Sequence, residues 1–157
     1  MQKRYYIAYG SNLNVQQMLY RCPGARIIGT AELHGYRLMF KGSKTGSYLT
    51  IEPDAECSDP VAVWSVTPED ELRLDHYEGY PRFYYKKELT LSVKGIKSGI
   101  VRERTVFVYI MHEDRTFGLP TDFYFKACVD GYRDFDLDTA HLLDALAYSA
   151  KEVANER

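Results

Sequence analysis

The sequence has no excess of charge of either sign and no long apolar run. It contains 20 basic and 22 acidic residues among 157, for a formal net charge of −2. Because no basic excess is present to neutralise a phosphate backbone, we expect no nucleic-acid partner. No apolar run approaches the roughly 18 residues that a membrane-spanning helix needs, and the apolar stretch near the amino terminus is too short for a signal peptide. These features predict a cytoplasmic protein with no membrane partner.

Cysteine is scarce, and the motifs of metal and nucleotide binding are missing. Cys22, Cys57 and Cys128 are widely spaced and form no CxxC pair, which predicts free thiols rather than disulfides or a zinc site. The histidines show no metal-ligand spacing, and no HExxH, GxGxxG or P-loop motif occurs. Ser11 lacks the GxSxG context of a serine hydrolase. We therefore expect neither a metal nor a cofactor.

Apolar and aromatic residues are abundant. Hydrophobic types make up 45% of the chain and aromatic types 14%, with 14 tyrosines, as in a folded globular protein. Strand-like segments dominate the first two-thirds of the chain, and helical patterns dominate the end. This order predicts an α+β fold, with a curled sheet or a small barrel and helices on its outside, in a single domain over residues 1–157. A cavity at one mouth of the barrel is the natural place for a small ligand.

The predicted elements are separated by turn signals rich in glycine and proline. The strand segments combine aromatic and β-branched residues, and capping residues or prolines mark the helix starts. The predicted strands are 5–9, 25–33, 36–40, 48–51, 61–66, 83–93 and 101–111. The predicted helices are 15–21, about 68–77, about 120–131 and a last one capped by Asp138.

The segment Tyr9–Leu13 is the first candidate for a functional site. It joins the first predicted strand to the first helix and reads Tyr-Gly-Ser-Asn-Leu. Backbone N–H groups are free at such a position, and Gly10 permits a ligand to approach the main chain. The turn therefore suits a carboxylate or a developing oxyanion. The alternative is a plain strand-to-helix turn with a cap.

Glu78 and Tyr124 are the other candidates. Glu78 lies where the second predicted helix gives way to a Gly/Pro turn, and Tyr80 and Tyr84 are among the aromatic residues that follow. Packing against rings removes water from a carboxylate and raises its pKa, which suits a proton carrier near neutral pH. The alternative is a solvated turn residue. Tyr124, in the first turn of the third predicted helix, either hydrogen-bonds a ligand or fills the core.

Four segments, in order along the chain, resemble motifs of the γ-glutamylcyclotransferase-like superfamily. Each motif is weak alone, but together they span nearly the whole chain. The similarity is to the branch whose loop reads Tyr-Gly-Ser-Asn, and plant avirulence-induced proteins and an antibiotic-pathway enzyme that removes a γ-glutamyl group share the fold. The matching segments are Tyr9–Leu13, Val61–Val66, Leu74–Pro81, and Pro120–Tyr124 together with Gly131 and Tyr132.

The resemblance implies a small mixed β-barrel with flanking helices and a role for each matching residue. Glu78 matches the family's catalytic acid and base. The loop after the first strand matches a segment that binds a γ-glutamyl or 5-oxoproline group, and two tyrosines match positions that line the site. The implied substrate-binding residues are Tyr9, Gly10, Ser11, Asn12, Leu13, Tyr84 and Tyr124.

The resemblance also implies a reaction. It is the acyltransferase-type cyclisation of a small γ-glutamyl amide or peptide to 5-oxoproline, with release of the amine and without metal or cofactor. Two alternatives stay open: a non-catalytic small-molecule binding module on the same fold, and a protein-interaction domain that uses its many tyrosines. The identity of the released amine and the oligomeric state are open as well.

Overall fold

A computed structural model describes residues 3–156 of the protein. They form five strands, four α-helices and a short 3-10 helix, Ser11–Leu13. The strands are β1 (Arg4–Ala8), β2 (Arg26–Lys41), β3 (Tyr48–Val66), β4 (Tyr84–Gly95) and β5 (Val101–Met111). The α-helices are α1 (Val15–Arg21), α2 (Pro68–Glu78), α3 (Asp122–Asp134) and α4 (Ala140–Asn155). None of the helices in this part of the chain combines the length and apolar character needed to cross a membrane.

The five strands close into a barrel in the order β1-β3-β2-β4-β5. Neighbouring strands pair antiparallel except at the closure, where β1 and β5 run parallel with Tyr5 opposite Val106 and Tyr6 opposite Phe107. Helix α4 packs against β2, and α3 packs against the 3-10 helix. The predicted α+β fold, a mixed barrel with flanking helices, is thereby confirmed.

Large apolar side chains form the core. Trp64, Phe107 and Ile7 are each at most 1% exposed. Burying a side chain of this kind stabilises the fold by about 1.5–3 kcal/mol. The indole N–H of Trp64 donates a hydrogen bond to the main-chain carbonyl of Asn12 at 3.1 Å. The core therefore also anchors the loop that follows β1.

Strands β2 and β3 are each continuous where the sequence predicted two shorter strands. The predicted breaks rested on Gly35 in β2 and on the prolines in β3. The pairing of β2 with β3 instead shifts register between His34 and Tyr36 and continues, with Pro53 opposite Tyr36. A bulge accommodates the glycine without ending the strand, and a proline is tolerated where its missing N–H breaks no ladder bond. The prediction of four short strands here was wrong.

Helix α3 continues to Asp134, although the sequence predicted its end at Gly131. A Cβ atom on Gly131 would lie 2.5 Å from the Asn14 nitrogen and 2.7 Å from the Leu13 carbonyl carbon. Real Cβ atoms do not approach main-chain atoms so closely, so only glycine lets α3 pack against the loop after β1. This glycine serves a close approach between two elements rather than a helix end.

The ends of α2 and α4 lie near the predicted positions. In α2 the Thr67 hydroxyl accepts the Asp70 N–H, and Gly79 ends the helix with a φ of 63°. That left-handed conformation favours glycine, and it leaves Glu78 as the last helical residue. Thr139 directly precedes α4 but makes no capping bond with its side chain, whereas the predicted cap, Asp138, accepts the N–H of Ala140 with its carboxylate at 2.9 Å.

Candidate active site

One end of the barrel contains a cavity of about 170 Å³. Its walls come from β1, the loop after β1, the start of β3, the end of α2, the start of β4, and single residues of β5 and α3. Most of its lining residues are aromatic. The lining residues are Tyr6, Ile7, Tyr9, Gly10, Ser11, Asn12, Tyr48, Leu49, Tyr77, Glu78, Phe83, Tyr84, Tyr109 and Tyr124.

The loop Gly10–Asn12 presents main-chain N–H groups that are not used within the fold. Its three amide N–H groups donate no hydrogen bond to any acceptor in residues 3–156, whereas Leu13 N–H bonds back to the Gly10 carbonyl at 3.0 Å. This is the expected pattern at the start of a short helix, where the first N–H groups lack intrahelical acceptors. Since the loop lines the cavity, these donors are available to a bound anion or oxyanion.

Side chains hold this loop in place. The Asn12 amide donates to the Tyr6 hydroxyl oxygen at 2.9 Å, and its carbonyl oxygen accepts from the Arg21 guanidinium. Asn12 itself is only 3% exposed. In residues 3–156 the Tyr6 hydroxyl hydrogen has no acceptor, so it is a further donor on the cavity wall. The loop is therefore fixed by its side chains while its main chain stays free.

Gly10 lies against Tyr124 and Leu49 on the opposite wall. A Cβ atom at Gly10 would come within 3.1 Å of the Tyr124 hydroxyl oxygen and 3.4 Å of Leu49. Both site tyrosines are fixed by the main chain of Leu49: its N–H donates to Tyr124 at 3.1 Å, and its carbonyl accepts from Tyr84 at 2.8 Å. The glycine leaves room in the cavity that a larger residue would reduce.

Glu78 is the one acidic residue that lines this cavity. The residue as a whole is partly exposed, while protein atoms surround its carboxyl group. Burial raises the pKa of Glu78 to about 8, and the positive charge of Arg21 offsets this rise only in part. No side chain in the described part of the protein donates a hydrogen bond to this carboxyl. A carboxyl in this state is free to exchange a proton with a ligand near neutral pH.

A hydrogen-bonded chain supports the wall formed by β1 and β5. The Tyr9 hydroxyl donates to the Tyr109 carbonyl at 2.7 Å, and the Tyr109 hydroxyl donates to the Asp75 carboxylate at 2.6 Å. Lys86 forms ion pairs with Asp75 and Glu71, each at 2.7 Å. Because its proton is committed to Asp75, the Tyr109 hydroxyl offers only its oxygen to the cavity.

The Arg21 guanidinium connects the loop to α2. It lies 3.5 Å from the centre of the Tyr77 ring and also bonds the Asn12 side chain. The Tyr77 hydroxyl is 3.2 Å from the Ser11 hydroxyl oxygen. These contacts keep the last turn of α2, and with it Glu78, beside the loop after β1.

The structure brings most of the predicted site residues to this cavity. Glu78 and six of the seven predicted binding residues line it, although Glu78 and Ser11 are far apart in sequence. Leu13 does not line it, because its side chain is fully buried in the core. Tyr80, expected to cover Glu78, instead packs edge-on against Tyr109 and is 41% exposed. The catalytic and binding roles themselves stay predictions.

Half of the cavity lining was not predicted from the sequence. Six of these residues lie on strands or directly before one, where the barrel pairing decides which side chains meet, and Tyr77 lies in the last turn of α2. Only Phe83 carries a sequence signal: it is an aromatic residue at the end of a predicted strand, close in sequence to Glu78. The missed residues are Tyr6, Ile7, Tyr48, Leu49, Tyr77, Phe83 and Tyr109.

Metal binding has no support in the arrangement of the side chains. Within residues 3–156, no group of three or more His, Cys, Asp or Glu side chains is placed to bind a metal ion. The described cysteines are free thiols, and burial raises the pKa of Cys22 and of Cys128 to about 12, which keeps both protonated at neutral pH.

One cavity of this closed barrel contains a carboxyl group of raised pKa beside free main-chain N–H donors. These are the groups that an acid–base enzyme uses on a small polar substrate. The family described as "Gamma-glutamyl cyclotransferase, AIG2-like" matches the chain over residues 6–125. The chain belongs to this family, as its sequence motifs predicted. No protein with a curated description matches it.

Solved structures share the fold over nearly the whole chain. A structure titled "Gamma-glutamyl cyclotransferase" is 24% identical, with a TM-score of 0.73, and the match covers 98% of this chain and 88% of that one. An uncharacterised protein from Homo sapiens is 25% identical, with the same coverage and a TM-score of 0.73. A glutathione-specific γ-glutamyl cyclotransferase from yeast is 13% identical, with a TM-score of 0.65 and 96% coverage of both chains.

Proposed function

We propose that the protein cyclises a γ-glutamyl amide or peptide to 5-oxoproline and releases the amine. The observation that carries the proposal is the position of Glu78 in one cavity with the free N–H groups of Gly10–Asn12. Family membership supports the class of reaction, and relatives of the same fold carry the name γ-glutamyl cyclotransferase. The substrate is a small molecule that fits a cavity of about 170 Å³.

In the first step the α-amine of the γ-glutamyl group attacks its own γ-carbonyl carbon. The amine arrives as an ammonium group, so a base must first remove a proton, and Glu78 in its carboxylate form takes it. A pKa of about 8 places Glu78 close to the pKa of a substrate amine, so the proton moves with little energetic penalty. Because the attack is intramolecular, holding the substrate folded supplies much of the acceleration.

The tetrahedral intermediate then collapses. Its carbonyl oxygen bears negative charge, which the N–H groups of the Gly10–Asn12 loop stabilise. The bond between the γ-carbon and the amide nitrogen breaks, and Glu78 returns its proton to the departing nitrogen. The ring nitrogen loses its second proton to the released amine, so the products are 5-oxoproline and the amine in its ammonium form, and Glu78 is left as a carboxylate for the next cycle.

The proposal is tested by product analysis. The purified protein is incubated with a set of γ-glutamyl peptides and γ-glutamyl amines, and 5-oxoproline is measured by mass spectrometry beside the released amine. We expect equal amounts of the two products from at least one substrate. Release of free glutamate instead would indicate hydrolysis. Binding of 5-oxoproline without turnover of any compound would favour a non-catalytic binding module.

A further inference from the structure

The cavity has an inner part and an opening of different chemical character. The inner wall includes Tyr9, Ser11, Tyr84 and Tyr109, all between 2% and 7% exposed and all engaged in hydrogen bonds. At the opening Tyr48 is 45% exposed and Tyr77 is 43% exposed. A ligand therefore meets polar groups inside and aromatic rings at the entrance.

We call Tyr48, Tyr77 and Phe83 the aromatic mouth. The Tyr48 ring stands nearly perpendicular to Phe83, with centroids 6.4 Å apart and an interplanar angle of 89°. The Tyr48 ring is also nearly perpendicular to Tyr124, with centroids 5.1 Å apart and an interplanar angle of 85°. Edge-to-face contacts of this kind are favourable and limit ring rotation. The side of the mouth formed by Tyr48 and Phe83 is thus a preorganised apolar surface.

Two arginine side chains lie against rings of the aromatic mouth. Arg21 lies 3.5 Å from the centre of the Tyr77 ring, and Arg115 lies 4.8 Å from the centre of the Phe83 ring. Glu78 is the single acidic side chain on the cavity lining, and the reaction uses it for proton transfer. A cationic group at the opening would lie near two guanidinium groups, and among the lining residues it would find no carboxylate other than Glu78 to pair with.

The proposed reaction fixes which part of a substrate reaches the mouth. The α-amine and the γ-carbonyl must lie beside Glu78 and the Gly10–Asn12 loop. The buried inner wall closes the cavity behind them, so the substituent on the departing nitrogen extends toward the aromatic mouth. This orientation rests on the proposed function, since it follows from placing the reacting atoms at Glu78.

We propose that the amine released by this protein carries an apolar side chain, preferably an aromatic one, that packs in the aromatic mouth. Tyr48 and Phe83 are then specificity-determining residues. An aromatic side chain buries apolar area against rings that are already ordered. Amines with a small side chain leave this surface uncovered, and amines with a second positive charge are disfavoured.

The test compares kcat/KM for three substrates: γ-glutamyl-phenylalanine, γ-glutamyl-alanine, and lysine acylated on its ε-nitrogen by the γ-carboxyl of glutamate. We expect the phenylalanine substrate to exceed the alanine substrate on the order of tenfold, with the lysine substrate slowest. Tyr48→Ala should reduce the preference for phenylalanine over alanine to about twofold, since the ring that supplies the contact is gone. Tyr48→Phe should retain the preference.

Tyr20→Ala is the matched control, because Tyr20 is 91% exposed and does not line the cavity. It should keep the wild-type preference. Equal rates for the phenylalanine and alanine substrates in the wild type would overturn the proposal while leaving the cyclisation intact. So would an unchanged preference in Tyr48→Ala, or fast turnover of the lysine substrate. If no γ-glutamyl compound is cyclised, the proposed function itself fails and this inference falls with it.

Discussion

Glu78 and Asp59 are both carboxyl groups of raised pKa, but their surroundings differ. Burial raises the pKa of Glu78 to about 8 and that of Asp59 to about 6. Asp59 lies in a closed junction between β3 and α4, 5% exposed, with the His141 ring nitrogen 3.7 Å from one oxygen. Its other oxygen and the nearby Tyr132 hydroxyl have no partner in the described residues.

The comparison shows that a shifted pKa does not by itself identify a functional carboxyl group. Desolvation raises the pKa of both groups, so the pKa shift alone does not distinguish them. Glu78 differs because it lines a cavity of about 170 Å³ and because free N–H donors share that cavity. Asp59 has no comparable access, so its raised pKa indicates a structural role.

The largest predicted effect is the loss of activity in Glu78→Gln. Glutamine keeps the size of the side chain but cannot accept a proton as a carboxylate does. We expect turnover to 5-oxoproline to fall by about 10²-fold or more, the usual contribution of a positioned acid–base group. Steady-state kinetics on one accepted substrate measures the effect.

Asp59→Asn is the matched control for this loss. It removes the other desolvated carboxyl from a place outside the cavity, so kcat/KM should stay within about threefold of the wild type. A variant of Asp59 that loses as much activity as Glu78→Gln would remove the distinction between the two sites. Circular dichroism spectra of both variants, compared with that of the wild type, test whether they are folded.

A second prediction concerns the pH dependence of stability. Between about pH 4.5 and 8 the native state retains the Glu78 proton that the unfolded chain has lost. The native state therefore binds more protons, and the free energy of unfolding falls as pH rises through this window. The slope from this one group is at most about 1.4 kcal/mol per pH unit. The corresponding window for Asp59 ends near pH 6.

Urea denaturation between pH 6.5 and 8 isolates the Glu78 contribution. We expect Glu78→Gln to show a flatter dependence than the wild type in this range, and Asp59→Asn to keep the wild-type slope. Equal slopes in all three proteins would show that the Glu78 carboxyl is ionised throughout, which contradicts a base with a pKa near 8.

The smallest predicted effect is that of Ser11→Ala. The substitution removes a hydroxyl that contacts Tyr77 at 3.2 Å but keeps the main-chain N–H on the cavity. We expect kcat to fall less than about fivefold and stability to change by at most about 1 kcal/mol. A loss as large as that of Glu78→Gln would give the Ser11 hydroxyl a direct part in the reaction.

Local sequence signals predicted those parts of the site that local structure builds. Gly10 follows a strand, and Glu78 is the last residue of a helix. Residue types that favour turns and helix ends are enough to predict such positions. Tyr48 and Tyr109 carry no such mark, because they reach the cavity only through the pairing of distant strands. The sequence also placed Leu13 in the binding loop, whereas the packing of the 3-10 helix turns that side chain into the core.

The fold was predictable at the level of its class and most of its elements. Strand-rich and helix-rich regions follow from residue types, and capping signals located α2 within a residue. The continuity of β2 and β3 was not predictable, because a bulge at Gly35 and tolerated prolines depend on the partner strand. Gly131 likewise looks like a helix end until the neighbouring loop is known.

The parallel pairing of β1 with β5 has a consequence for how the chain folds. The Tyr9 hydroxyl bonds the main chain of Tyr109, 100 positions later, so both strands must dock before this wall of the cavity exists. Contacts between such distant segments slow folding, because a long loop is ordered before they form. On the ribosome β1 is able to pair with β3 first, but this closure waits until β5, which ends at Met111, has been synthesised. A ligand that spans the finished cavity holds the earliest and the latest strands together, and it therefore opposes the opening of the barrel at its closure.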